Sequence, residues 1–202
     1  PPLPLSPPPP AFGSGAAIRA CPFAAPDLAA ALAALDARYL AGEGGAHARV
    51  LRAELGARTA AGSGDLEEFG RRISTDFLGV SHFAFGFELA RAEYLAWMAE
   101  AFAQMPTRHA VPRAVHVVGN CVLVATTITG VTGDGSTYTW DAYVLNVVGP
   151  HDLIERVEWF EGDFGIAFAR LHELGAVASI DERKFRVDNE AVRVTRQFVD
   201  RL

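Results

Sequence analysis

The sequence is poor in cysteine and in lysine, and it has no apolar run long enough to cross a bilayer. The two cysteines in 202 residues, Cys21 in the leading segment and Cys121 inside an apolar stretch, make neither a disulfide framework nor a metal-ligand pair. A reducing, cytoplasmic compartment is the expectation. No segment reaches the ~20 apolar residues of a spanning helix, and the opening lacks a basic stretch followed by an apolar one. No membrane partner is expected. Lysine occurs once, at Lys184, among 18 basic residues scattered against 24 acidic ones. The basic stripe of a nucleic-acid binder is therefore missing. This Ala- and Arg-rich, Lys-poor usage reads as coding from a GC-rich bacterial genome. HxH, HxxxH and CxxC spacings do not occur, and the glycine clusters GEGG (42–45) and GDGS (133–136) lack the strand-to-helix context and the Lys of a phosphate cradle. No metal and no cofactor are expected. The chain opens on Pro1 rather than Met, which reads as a fragment of a longer polypeptide, with flanking domains as partners.

What is present is a chain of 50% hydrophobic content, enough to bury a core of ordinary size. Residues 1–26, with PPLPLSPPPP and then AFGSGAA, read as a disordered Pro/Gly-rich linker, because neither piece buries enough apolar surface to offset its ordering entropy. The other reading of the proline run is a ligand for an SH3-type groove. From Pro26-Asp27 a helix begins in which Leu28, Leu32, Leu35 and Tyr39 mark one face; Gly42 to Gly45 break it, and a second helix runs from Ala46 to about Ala60. Together they read as a helical hairpin extension over 27–61, outside the core.

The core domain is expected over 62–178. Asp65 and Glu68 stand in capping-box spacing ahead of the apolar stripe Leu66, Phe69, Ile73, so a short helix runs to about Ser74. Asp76 to His82 reads as a first strand. Between Ala90 and Met105 the apolar residues Tyr94, Trp97, Met98, Ala101, Phe102 and Met105 recur at helical spacing, and Pro106 stops them. Four strands follow, Arg113 to Gly119, Cys121 to Val131, Ser136 to Val148 and Leu153 to Glu161, joined by Gly119-Asn120, Gly133-Asp134-Gly135 and Gly149-Pro150. After Asp163 the apolar positions Phe164, Ala167, Phe168, Leu171 and Leu174 return to helical period. Asp163 can cap that helix and Gly175 can close it. Long strands on short turns make a strongly bent antiparallel sheet, with helices to cover its concave face: an α+β cone. Residues 179–202 read as a C-terminal helix.

In this order of elements the chain resembles the NTF2-like superfamily and, within it, the SnoaL-like group. It is most similar to SnoaL-like modules of actinobacterial multidomain signalling proteins of the cyclase and ATPase type. The likeness rests on ALAALDARYLAGEGGAHARVL (31–51), GDLEEFGRRISTDFLGVSHF (64–83), RAEYL (91–95) and IERVEWFEGD (154–163), and VDNEAVRVTRQFVDRL (187–202) is similar to the first helix of a second such module. The resemblance implies a cone with an internal pocket. Two functions of different class follow from it. One is a non-catalytic module that binds a small apolar or cyclic ligand, or mediates assembly, within a larger signalling protein. The other is a SnoaL-like enzyme doing acid–base chemistry (isomerase, cyclase or hydrolase type) on a small cyclic apolar substrate. A homodimer is compatible with either.

In the signalling modules the first strand commonly ends in Asp-His-Arg; here those positions are Ser81, His82 and Phe83. A carboxylate beside His82 would orient its imidazole and raise its basicity, so an enzyme needs one from elsewhere. SnoaL-like enzymes carry carboxylates on the late strands, which makes Asp141, Glu158 and Glu161 the candidates. Strand parity puts Asp141 with Tyr143 and Leu145 and away from Trp140, and it puts Glu158 and Glu161 on opposite faces. Asp141 is then a pocket acid of raised pKa or a solvent-face residue. His82 is a pocket residue or a strand-end His. Tyr94, Trp97, Tyr143 and Trp159 are the candidate ligand-stacking aromatics, with core packing as the alternative. His116, in a Val-rich strand, is expected on the solvent face.

Overall fold

A computed structural model describes residues 28–84 and 86–182. The expected linker, Cys21 and nearly all of the expected C-terminal helix lie outside the described residues. Residues up to Arg38 form one unit and those from Tyr39 another. The described part of the first is helical, belonging to α1 (Leu28–Ala41), and its Leu35 is exposed. All that follows concerns the second unit.

A short 3-10 helix, Glu43–His47, leads into α2 (Ala48–Ser63), which ends on Gly64 in the left-handed conformation. α3 (Leu66–Arg72) starts where the sequence places it: the Asp65 carboxylate accepts from the Glu68 N–H at 2.9 Å. The Glu68 carboxylate does not complete the capping box and pairs instead with Arg71 and Arg72. β1 (Ile73–Ser81) begins at once, three residues before the predicted strand. β2 (Glu88–Ala90), too short for any period to register, precedes α4 (Arg91–Gln104). The meander β3 (His109–Val118), β4 (Cys121–Val131), β5 (Thr137–Val148) and β6 (Ile154–Glu161) then runs into α5 (Phe164–Glu182). The sheet order is β2-β1-β6-β5-β4-β3, open and bent, with β1 parallel to β6 and all other pairs antiparallel.

Both faces of this sheet are covered. On one, Val122 and Val124 of β4, Val148 of β5 and Val157 of β6 pack with Phe69, with Tyr94 and Met98 of α4, and with Val50, Leu51, Ala53, Ala57 and Ala60 of α2. On the other, Cys121 and Leu123 of β4, Leu145 of β5 and Phe160 of β6 pack under Ala167 and Leu171 of α5. α2 therefore lies in the core and not in an extension outside it. The physical reason is its stripe of Val50, Leu51, Ala53, Ala57 and Ala60, whose small residues let a helix approach the sheet closely.

Two glycines permit close contacts. A Cβ on Gly79 of β1 would stand 2.2 Å from the Tyr94 ring, so only glycine lets α4 lie flat on that strand. Gly175, expected to end the last helix, sits inside α5 instead; a Cβ there would be 2.5 Å from the Val118 carbonyl. It brings α5 against the end of β3, and the helix continues to Glu182.

Candidate functional site

Between α2 and the first face of the sheet lies a hollow of about 100 Å³. α2 lines it with Glu54, Ala57, Arg58, Ala61 and Gly62, and α3 and α4 with Phe69, Tyr94 and Met98. The strands supply Ala110, Val124, Thr126, Ile128, Val144, Asn146, Val157 and Trp159, and Arg108 comes from the turn between α4 and β3. The wall is mainly apolar with a few polar groups set into it, the usual make-up of a small-molecule site.

Each polar group has a describable state. Glu54 is buried and accepts from Arg58 Nε at 2.9 Å, one helical turn on. The Trp159 Nε1–H donates to the Tyr94 hydroxyl at 2.9 Å. Burial pushes the Tyr94 phenol well above its ordinary pKa, although that Trp159 bond works the other way, so the phenol is neutral and keeps its proton. Arg108 donates through Nη2 to the Ala61 carbonyl at 2.8 Å, and its guanidinium lies 3.9 Å over the Phe102 ring. Burial pulls its pKa below the usual guanidinium value. The Thr126 hydroxyl is satisfied by the Val111 carbonyl at 3.2 Å. Asn146 is 7% exposed, and its carboxamide hydrogen-bonds to no other described residue.

The residues expected to carry chemistry are elsewhere. His82, which has Ser81 and not an acid before it, is in a close carboxylate pair with a late-strand residue: its Nε2 lies 2.7 Å from Glu158 Oε2. That pair faces α5, on the side of the sheet away from the hollow, because Glu158 shares strand parity with Phe160 and not with Val157 and Trp159. Glu158 is fully buried and also takes Arg156 and a two-pronged contact from Arg170. Burial alone would raise its pKa, but the bonds from Arg170, His82 and Arg156 outweigh it and hold the carboxyl below its ordinary range. The His82 ring stacks on Phe160 at 4.2 Å. A carboxylate saturated by two arginines and a histidine is a tie between α5 and the sheet.

Asp141 is not a desolvated pocket acid. Its side chain is 57% exposed, accepts from the Thr127 hydroxyl at 2.6 Å and faces Arg113 at 3.4 Å. Asp141 does share a strand face with Tyr143 and Leu145, but that is the face on which those two pack with the α5 cluster. Glu161 is exposed at the end of β6 and does not line the hollow. Of the aromatics, Tyr94 and Trp159 line the hollow. Trp97 packs behind them at 5.4 Å from the Tyr94 ring, and Tyr143 meets Phe164 of α5 at 5.5 Å on the other face. His116 is half-buried against Phe164 and Phe168 and not on an open solvent face, because α5 covers that side of β3.

Sequence reading missed Glu54, Arg58, Arg108 and Asn146. Two of these left a signal: Asn146 interrupts YVLNVV, and Glu54 falls on the apolar stripe of α2. Arg108 left none, because a basic residue in a turn is ordinary. Among the described residues no group of His, Cys, Asp and Glu has the arrangement to hold a metal ion, and no helix is long and apolar enough to cross a membrane.

No family model and no curated protein matches the chain. Solved structures do. An uncharacterized cystatin fold protein of Novosphingobium aromaticivorans is similar at 22% identity and TM-score 0.50, over 55% of this chain and 97% of that one. AclR of Streptomyces galilaeus is similar at 14% identity and TM-score 0.51, over 62% and 97%. An NTF2-like protein of unknown function from Burkholderia pseudomallei is similar at 12% identity and TM-score 0.50, over 61% and 96%. Identities this low speak to fold alone, and with the bent open sheet and its covering helices they make this an α+β protein with the NTF2-like cone fold.

Proposed function

We propose that this domain is a non-catalytic module that binds a small, largely apolar molecule in the hollow beneath α2. The observation that carries the reading is the hollow itself, walled by Val124, Ile128, Val144, Val157, Met98 and Trp159, with a few polar groups at separate points. That is the minimum a sensor requires. The separation of His82–Glu158 from the hollow argues against an acid–base enzyme using those residues, since neither reaches a molecule bound there. At about 100 Å³ the space is smaller than the ~150 Å³ that admits benzene in an engineered cavity. The hollow opens beside exposed Gly62, so the ligand is slender, a short chain or a single ring that the walls enclose only in part. A place within a larger signalling polypeptide is supported by the sequence likeness to modules of that kind, and the full reading frame tests it.

Ligand titration followed by amide and indole NMR signals is the direct experiment. Small single-ring compounds should shift the indole resonance of Trp159 and the amides of Ala57 and Val144. Ala57→Leu, which fills the space, should abolish those shifts while the spectrum stays folded. Shifts that survive Ala57→Leu, or that map to the α5 side of the sheet, would refute the assignment.

One observation keeps the enzyme reading in view, the buried Glu54 in the wall. An enzyme would have to use Glu54, released from Arg58, and its turnover would disappear in Glu54→Gln with binding retained.

A further inference from the structure

Three polar groups in the wall of the hollow have capacity that the described protein does not use. Arg108 carries five N–H donors in a fixed fork, and one protein acceptor, the Ala61 carbonyl, is bound to it. Among the described residues no carboxylate lies within ion-pair distance of it, whereas Arg58, the other cation of the wall, is paired with Glu54. The Phe102 ring, 3.9 Å from the guanidinium, supports it from one side. The Tyr94 hydroxyl, 1% exposed as a residue, accepts from Trp159 but donates to no described residue. Asn146 is 7% exposed and unpartnered through its carboxamide. Arg108 and the Tyr94 hydroxyl each keep bonding capacity beyond their one protein partner, and the Asn146 carboxamide keeps all of its own; groups set this deep usually use such capacity, because an unmade bond there is costly.

The charges do not cancel. Glu54 and Arg58 neutralise each other inside the wall, which leaves Arg108 as an excess positive charge at the rim, where exposed Gly62 lies with it on the lining. Partial burial makes that cation harder to keep, as the lowered pKa of its guanidinium indicates. A bound anion would offset the lost hydration through charge-assisted hydrogen bonds, and a carboxylate matches the fork in both geometry and sign.

Resting on the pocket reading above, we propose that the hollow takes a small organic monoanion, a carboxylic acid with a single-ring or short-chain apolar body, its carboxylate held by Arg108 at the rim. The body lies against Val124, Val144, Val157 and Trp159, within reach of the Tyr94 hydroxyl and the Asn146 amide for one further polar substituent. The dimensions agree: the α2 residues that line the hollow, Glu54 to Gly62, cover eight helical steps, roughly 12 Å. That length suits a slender acid and excludes a polycyclic one.

Benzoate and benzamide, equal in shape and different in charge, separate the possibilities. Both are titrated at neutral pH into the wild-type protein and into Arg108→Gln, with binding read from the Trp159 indole and the Ala57 amide. The proposal expects benzoate to bind at least tenfold tighter than benzamide. In Arg108→Gln that preference should vanish, because benzoate binding weakens by about tenfold more than benzamide binding does, and Arg108→Lys should keep part of it. If benzamide binds wild type as well as benzoate does, the acid assignment is overturned while the pocket reading stands. If neither compound moves those signals, both fall. Should Arg108→Gln fail to fold, the comparison of the two compounds on the wild-type protein decides alone, because it needs no variant.

Discussion

At the residue scale the most consequential side chain is one that takes no part in the hollow. Glu158 is fully buried among Arg156, Arg170 and His82, which are themselves partly exposed, and removing its charge strips the shared partner from Arg156 and His82 while Arg170 keeps Glu173. Glu158→Gln, which keeps the size and deletes the charge, should lower the unfolding free energy by about 1.5–3 kcal/mol, the scale of hydrogen bonds to a charged group, measured by urea denaturation at neutral pH. The pH dependence has a definite sign. The folded pKa of Glu158 lies below its ordinary value of 4.5, so the unfolded chain binds the proton more readily than the native one. Its stabilisation is fully present above about pH 4.5 and disappears as pH falls through the lower folded value. Wild type should therefore lose stability steeply below that pH, and Glu158→Gln should be flatter through the same window. A variant as steep as wild type would show that other carboxylates dominate the acid limb. Gly175 gives a second test at this scale. Gly175→Ala sets a methyl 2.5 Å from the Val118 carbonyl and should cost roughly 1–3 kcal/mol as overpacking. Were Gly175 a helix-ending residue, the fault would instead be strain at a positive φ, and the helix beyond it would be lost.

At the element scale, the sequence showed best where a single period governs a long segment. The limits of β4 were read without error from Cys121 to Val131, and α4 within one residue at each end, because Tyr94, Trp97, Met98 and Phe102 face one side and Pro106 stops the helix. β2, with three residues, has no period to read. The facing of the strands was the other loss. Parity correctly grouped Asp141 with Tyr143 and Leu145, and it correctly opposed Glu158 to Glu161, yet parity says nothing about which face encloses a hollow. Here α5 covers the second face as α2 covers the first, so Cys121 to Thr126 are buried without alternation and both sides look like core. The same blindness put the candidate aromatic Tyr143 in the pocket and left Asn146 out of it. The stripe of α2 is weak in sequence because half of its buried residues are alanine, with modest apolar surface, and another is Glu54. Leu51→Ala measures this directly. With Leu51 at 5% exposure and inside the main cluster, the substitution should cost ~2–5 kcal/mol. A helix outside the core would tolerate it within about 0.5 kcal/mol.

At the scale of the whole molecule, two apolar clusters lie back to back and share β4 and β5, so neither can lose its strands without exposing the other. The unit from Tyr39 should then unfold in one step, with probes on the two faces reporting the same transition. The chain supplies those probes. Trp159 lines the hollow, with Trp97 at 6.5 Å and Trp140 at 6.1 Å from its ring, so tryptophan fluorescence reports the first face. Cys121 lies at 0% exposure in the cluster under α5, and burial pushes its thiol up to about 11, which leaves almost no thiolate to react in the native state. In a Cys21→Ser background, labelling of Cys121 by a thiol reagent should rise with urea along the curve of the tryptophan signal and have the same midpoint. The buried tie of Glu158 to Arg170 on α5 is the reason to expect coincidence, since the helix cannot lift away without stranding that carboxylate. If Cys121 reacts at a urea concentration where the tryptophans are still native, α5 opens by itself and the two clusters are separate cooperative units. In Glu158→Gln, where the tie is weakened, that early opening should become visible, and its absence there would mean that apolar packing under Ala167 and Leu171 is enough to hold the helix down.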